Sequence, residues 1–168
     1  MASHPFYSKL KNAKAIAMDV DGVLTDGSLL IHEDGTELRT MNIRDGYAIQ
    51  LAAKKGIEMC VITGGNSEGV NIRLHKLGVQ SIYSGVNNKR ETLMSWIQQK
   101  NLKFEEVIYI GDDMMDVDAM KVAGIKCCPQ DACNEIVSIC EYISPISGGK
   151  GVLRDVIEKM LKLKGVWE

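Results

Sequence analysis

The stretch AIAMDVDGVLTDG, residues 15–27, constrains the fold more than any other part of the chain. Its apolar start reads as a buried strand, yet the run ends on Asp19 and Asp21, one residue apart, and turns at once at Gly22. Carboxylates at the end of a buried strand are costly unless something positive meets them. A strand that finishes this way finishes at a site that binds a cation or attacks a phosphorus.

The rest of the chain alternates in the same manner. AKAIAMDV, IEMCVIT and VIYIG read as buried strands, with a short IKCC after them. Helical patterns lie between: GYAIQLAAKKG stops at Gly56, SEGVNIRLHKLG opens at a capping Ser67 and stops at Gly78, and NKRETLMSWIQQK leads into the third strand. MMDVDAMKVAG ends at Gly124, and GVLRDVIEKMLKLKG follows as a last helix. This order predicts an α/β fold: a Rossmann-like parallel sheet with helices on both faces. The segment SLLIHEDGTELRTMN breaks the rule with two short extended runs around Glu33-Asp34-Gly35, a protruding β-hairpin. A length of 168 residues suits one domain spanning 1–168.

Composition removes several classes of function. A formal charge of −2 argues against a nucleic-acid partner. No apolar run is long enough to span a bilayer, and MASHPFYSKLKNAK has no signal-peptide core, so a cytoplasmic protein without membrane contact is expected. The five cysteines contain no C-x-x-C pair and read as buried thiols; His4, His32 and His75 have no ligand spacing.

Ligands of parallel sheets sit beyond the carboxyl ends of the strands. That edge collects Asp19 and Asp21, Thr63-Gly64-Gly65, and Gly111-Asp112-Asp113. Asp19, Asp21 and Asp112 in one small volume require a cation, and hard oxygen ligands without histidine select Mg²⁺. Magnesium makes phosphate a natural guest, with Thr63 and the glycine amides as donors and Lys89 as a further positive charge. Each signal alone has an ordinary reading, since Asp112 and Asp113 can cap a helix near Met115. Their common order is what carries weight.

In that order DVDGVLTDG, VITGG, Lys89 and GDDMMD resemble the four motifs of the haloacid dehalogenase superfamily of phosphotransferases. MNIRDGYAIQLA and GGKGVLRD add a narrower resemblance to its small capless branch, which includes 3-deoxy-D-manno-octulosonate 8-phosphate (KDO 8-phosphate) phosphatases of lipopolysaccharide precursor synthesis. The resemblance implies Asp19 as nucleophile, Asp21 as acid and base, and Mg²⁺ on Asp19, the Asp21 carbonyl and Asp112, with Asp113 and Asp116 behind them. It also implies a 2-keto-3-deoxy sugar acid phosphate as substrate. Asn42, Ile43, Arg44, Asp45 and Gly46 are the expected contacts to it, with Asp21, Gly64, Gly65, Arg73 and Lys89. Arg44 and Arg73 are candidates for the carboxylate, while Asp45 also reads as a helix N-cap. Gly65 stands where nine-carbon, sialic-type relatives tend to carry glutamate, which favours the eight-carbon sugar over a nonulosonate 9-phosphate.

No cap domain fits between Thr63 and Lys89, and only the hairpin follows Asp21. The resemblance therefore implies a homo-oligomer, a tetramer, joined through the hairpin segment 28–42, which opens at Ser28 and carries Leu29, Leu30 and Ile31. The reading from a different class is a receiver-like signalling domain that stores an aspartyl-phosphate. The D-x-D geometry, with a proton donor beside the nucleophile, favours turnover instead.

Overall fold

The structure is a computed structural model that describes residues 5–167, so His4, the three positions before it and residue 168 lie outside. In chain order it runs α1 (Pro5–Asn12), β1 (Ala15–Met18), β2 (Leu30–Ile31), β3 (Glu37–Leu38), α2 (Ile43–Lys54), β4 (Glu58–Ile62), α3 (Glu68–Lys76) and β5 (Ser81–Tyr83). It continues with α4 (Lys89–Gln99), β6 (Val107–Ile110), α5 (Val117–Met120), β7 (Ile125–Cys128), α6 (Asn134–Ile139), β8 (Tyr142–Ile143) and α7 (Val152–Leu163). Six strands form one sheet in the order β5-β4-β1-β6-β7-β8, and every pairing in it is parallel. β2 and β3 pair antiparallel as the separate hairpin.

The period-2 alternation of the central strands builds a core on each face. Ile16 and Met18 of β1, with Ile108 and Ile110 of β6, pack under α1, α2, α3 and α7. Ala15 and Ala17, with Val107 and Tyr109, face α4, α5 and α6. Both faces are covered, which is why these strands read as continuous apolar runs. All five cysteines are free, with Cys60, Cys127 and Cys128 buried. Among the described residues no helix is long and apolar enough to cross a membrane.

Several elements differ from the sequence expectation. α1, α6 and β8 were absent from it. The expected helix over MMDVDAMKVAG is a 3-10 turn (Met114–Asp116) followed by the four-residue α5, because the Asp116 side chain turns inward. Asp45 is not the N-cap of α2. Asn42 is, its side chain accepting the Arg44 N–H at 2.8 Å.

Asp45 instead caps a different helix. The N-cap of α7, Gly151, has no side chain, and Asp45 Oδ1 accepts the Arg154 N–H from across the core at 2.7 Å. Its Oδ2 is buried without a partner. Burial pushes its carboxyl up to about 6, against the opposing pull of the Arg154 and Leu153 amides. A carboxyl whose folded pKa lies above its unfolded value contributes most below about pH 4, and that contribution is lost as pH rises through about 6. The stability of the native chain relative to Asp45→Asn is therefore expected to fall by up to about 3 kcal/mol between pH 4 and pH 7. Urea midpoints across that range provide the check. Asp45→Ala, which strands the Arg154 N–H, should cost about 1–3 kcal/mol at either end.

Candidate active site

The site begins where β1 stops. Asp19 continues the ladder through its N–H to the Ile110 carbonyl, while Asp19 Oδ1 accepts the Val20 N–H at 2.7 Å. The Val20 carbonyl then gathers the N–H groups of Val23, Leu24 and Thr25 into a tight turn. Buried Thr25 pins that turn from inside: its hydroxyl accepts from Gly22 and Gly27 and donates to Asp21 Oδ1 at 3.4 Å. Gly22 has φ +85°, and a Cβ there would strike the Asp112 carboxylate.

β4 delivers buried Thr63, whose Oγ1 accepts the Gly65 N–H at 3.1 Å. α3 starts only at Glu68, capped by Ser67 as expected, so the Gly64-Gly65 amides belong to a loop ahead of that helix. Lys89 opens α4 and is 4% exposed. Its Nζ lies 2.7 Å from Asp19 Oδ2 and 2.8 Å from Asp116 Oδ1. β6 delivers Gly111, Asp112 and Asp113. Asp116, fully buried, accepts from Tyr109 OH at 2.8 Å and from the Asp112 N–H at 3.1 Å, and Asp113 Oδ1 accepts the Met114 N–H. A cavity of about 310 Å³ is lined by Asp19, Asp21, Gly22, Thr63, Gly64, Gly65, Lys89, Asp112 and Asp113, among others.

Negative charge exceeds positive charge here. Carboxylate oxygens of Asp19, Asp112 and Asp116 lie within 4.8 Å of one another. Burial, then the Asp116 charge, pushes Asp19 up to about 6 although Lys89 pulls it down. Burial and the Asp116, Asp19 and Asp113 charges push Asp112 up to about 7. Asp112 Oδ1 is buried with no hydrogen-bond partner. An orphaned carboxylate oxygen among all-oxygen donors fits a hard divalent cation such as Mg²⁺. Of these three, Asp116 has both oxygens committed to Lys89, Tyr109 and the Asp112 amide, and Asp19 and Asp112 line the cavity.

The other expected substrate contacts lie elsewhere in this chain. Asp45 and Gly46 are buried in α2, away from the cavity, because Asp45 serves α7 and Gly46 lets Arg73 and Leu77 approach. Asn42 caps α2 and reaches the Gly149 carbonyl at 3.4 Å. Arg44 is exposed beside Lys150 and Arg154, and Ile43 and Arg73 line a second cavity of about 420 Å³. None of these six lines the cavity around Asp19.

Some participants had no signature in the sequence. Arg39, from the end of the hairpin, grips Asp21 with Nε on Oδ1 at 2.8 Å and an Nη on Oδ2 at 3.2 Å. The GGKG segment props the β1 loop. The Gly149 N–H donates to the Val23 carbonyl at 2.9 Å, and a Cβ on Gly148 would strike the Gly22 carbonyl. Glycine at these positions lets the two backbones approach closely.

Residues 46–129 match the model of the haloacid dehalogenase-like hydrolase family. The chain is 34% identical over 158 residues to the 3-deoxy-D-manno-octulosonate 8-phosphate phosphatase of Escherichia coli K12, covering 94% of this chain and 84% of that one. Among solved structures it is similar to the phosphatase of that name from Moraxella catarrhalis, in complex with magnesium, phosphate and KDO. The TM-score there is 0.93 at 33% identity, covering 96% of this chain and 92% of the other. The cobalt-bound deoxy-D-mannose-octulosonate 8-phosphate phosphatase from Haemophilus influenzae aligns with a TM-score of 0.90 at 30% identity, covering 94% and 92%. The chain belongs to the haloacid dehalogenase-like hydrolases, in the branch of these phosphatases.

The contact between Gly22 and Asp112 makes one residue type a requirement. Gly22→Ala forces a strained backbone and displaces the Asp112 carboxylate. Magnesium affinity, measured by calorimetric titration, is expected to fall about 10–100-fold, with a loss of about 1–3 kcal/mol in stability from the strain.

Proposed function

We propose that the chain is a Mg²⁺-dependent phosphatase that hydrolyses KDO 8-phosphate through an aspartyl-phosphate. The observation that carries this reading is the meeting of Asp19, Asp21, Thr63, Lys89 and Asp112 at one cavity. The relatives named for the same reaction support the eight-carbon sugar over a nonulosonate 9-phosphate. Stored signalling phosphate is disfavoured by a proton donor beside the nucleophile.

In this reading an Asp19 oxygen attacks phosphorus as the bond to the sugar oxygen breaks, and Asp21 gives that oxygen its proton. Asp21 then takes a proton from the water that attacks the aspartyl-phosphate, which releases inorganic phosphate and restores Asp19. Lys89 holds Asp19 in place and, with the Thr63 hydroxyl and the Gly64 and Gly65 amides, faces the phosphoryl oxygens. Mg²⁺, held by Asp19, the Asp21 carbonyl and Asp112, supplies charge neutralisation at the phosphoryl group when bound. Asp113 and Asp116 stand behind, with Asp116 fixing Lys89 and the Asp112 backbone.

The chain acts as a single domain, 1–168, with no cap over the site. The hairpin supports assembly into a homo-oligomer, a tetramer, since Leu30 and Ile31 are 69% and 67% exposed in a single chain. The segment 28–42 then borders a neighbour's site and shields the sugar from water.

Phosphate release from a panel of sugar phosphates tests the activity. Release from KDO 8-phosphate should require Mg²⁺ and stop on chelation. Asp19→Ala should abolish turnover with the fold retained, and near-normal release by that variant would sink the mechanism. Asp21→Asn should lose about 10²–10⁴-fold. For the assembly, Leu30→Asp is expected to dissociate the oligomer in light scattering and to weaken KDO 8-phosphate turnover more than that of a small aryl phosphate.

A further inference from the structure

We infer that Arg39 is a positioning residue that selects for an anionic sugar by holding Asp21 until the substrate's carboxylate draws it away. The inference rests on the phosphatase reading above and adds a residue and a means of discrimination to it. Three observations carry it. The Arg39 side chain is 6% exposed, too buried for a casual surface pair, and its fork takes both oxygens of Asp21. It has no equally close second partner, since its contact with Glu37 is 3.4 Å. It also stands between two cavities: Asp21 lines the one around Asp19, whereas Arg39 lines the neighbouring 420 Å³ cavity with Arg73, Ser67 and Gly69.

The geometry has a chemical consequence. With both oxygens facing the guanidinium, the Asp21 carboxylate is turned toward Arg39 and must swing to meet the oxygen leaving phosphorus. Turnover of a poor leaving group therefore needs Arg39 to let go. A carboxylate entering the second cavity, beside Arg39 and Arg73, offers the fork the same two-oxygen partner it surrenders. A neutral sugar phosphate offers nothing in exchange and meets a held Asp21. Gly65 fits this arrangement: a Cβ there would lie 3.2 Å from Asp21 Oδ2 and 3.3 Å from an Arg39 Nη, in the space beside the pair.

The test compares kcat/KM on KDO 8-phosphate and on glucose 6-phosphate, two primary alkyl phosphates of which only the first carries a carboxylate, and reads how each variant changes the ratio. Wild type should prefer the acid. In Arg39→Met, kcat/KM on KDO 8-phosphate should fall about 10–100-fold, the loss of a charged contact, while that on glucose 6-phosphate rises because Asp21 is released. Arg39→Lys, which keeps the charge without the fork and preserves more of the packing, should give an intermediate ratio and serves if the methionine variant does not fold. A ratio unchanged from wild type in the variants, with both substrates falling together, overturns the inference and leaves the phosphatase reading intact. Wild type that releases no phosphate from KDO 8-phosphate overturns both.

Discussion

One ammonium group organises the catalytic edge. Lys89 Nζ sits between Asp19 and Asp116, both buried, at 2.7 and 2.8 Å. Removing water from two carboxylates and a lysine is costly, and the cost is met only where the remaining hydrogen-bonding capacity is also filled. Asp116 meets that condition with Tyr109 OH and the Asp112 N–H. Asp112 does not, since its Oδ1 is buried without a partner, and one positive charge faces three carboxylates. The surplus is an appetite for a divalent cation, which neighbouring parallel strands create by ending side by side.

The sheet keeps this cluster rigid. β1 lies between β4 and β6, so the residues following all three emerge from the centre of the fold, with helices packed on each face. The β1 loop, by contrast, has no regular structure of its own. It is held from inside by Thr25, from one side by Arg39 of the hairpin, and from another by Gly148-Gly149. The site thus combines fixed strand ends with a loop braced by distant parts of the chain.

That division explains what the sequence could disclose. β1, β4 and β6 were legible because strands buried on both faces need apolar residues throughout. Asp19, Asp21, Thr63 and Asp112 were legible because polar residues following such strands stand out, and Lys89, at the start of α4, through its place in their order. Asp45 was misread because an acid near a helix start looks the same whether it caps its own helix or, as here, another one across the core. Arg39 was invisible because its partner is fixed by the path of the hairpin and not by any local spacing. The α5 region was overextended because an inward-turning Asp116 leaves no mark on helical periodicity. α1 and α6 are short, and their apolar residues are few.

The brace from Gly148-Gly149 bears on how the protein is made. The loop it supports follows the first strand of the sheet, so that loop leaves the ribosome well before its support does. A nascent chain can already pair β1, β4 and β6 while the Gly22 turn still lacks the backbone that packs on it. Metal held by such a partial sheet would be held by a loop free to sample other shapes. Chains that lack the glycine pair are therefore expected to hold the Gly22 turn, and with it the Asp112 carboxylate, less firmly even where their sheet has formed.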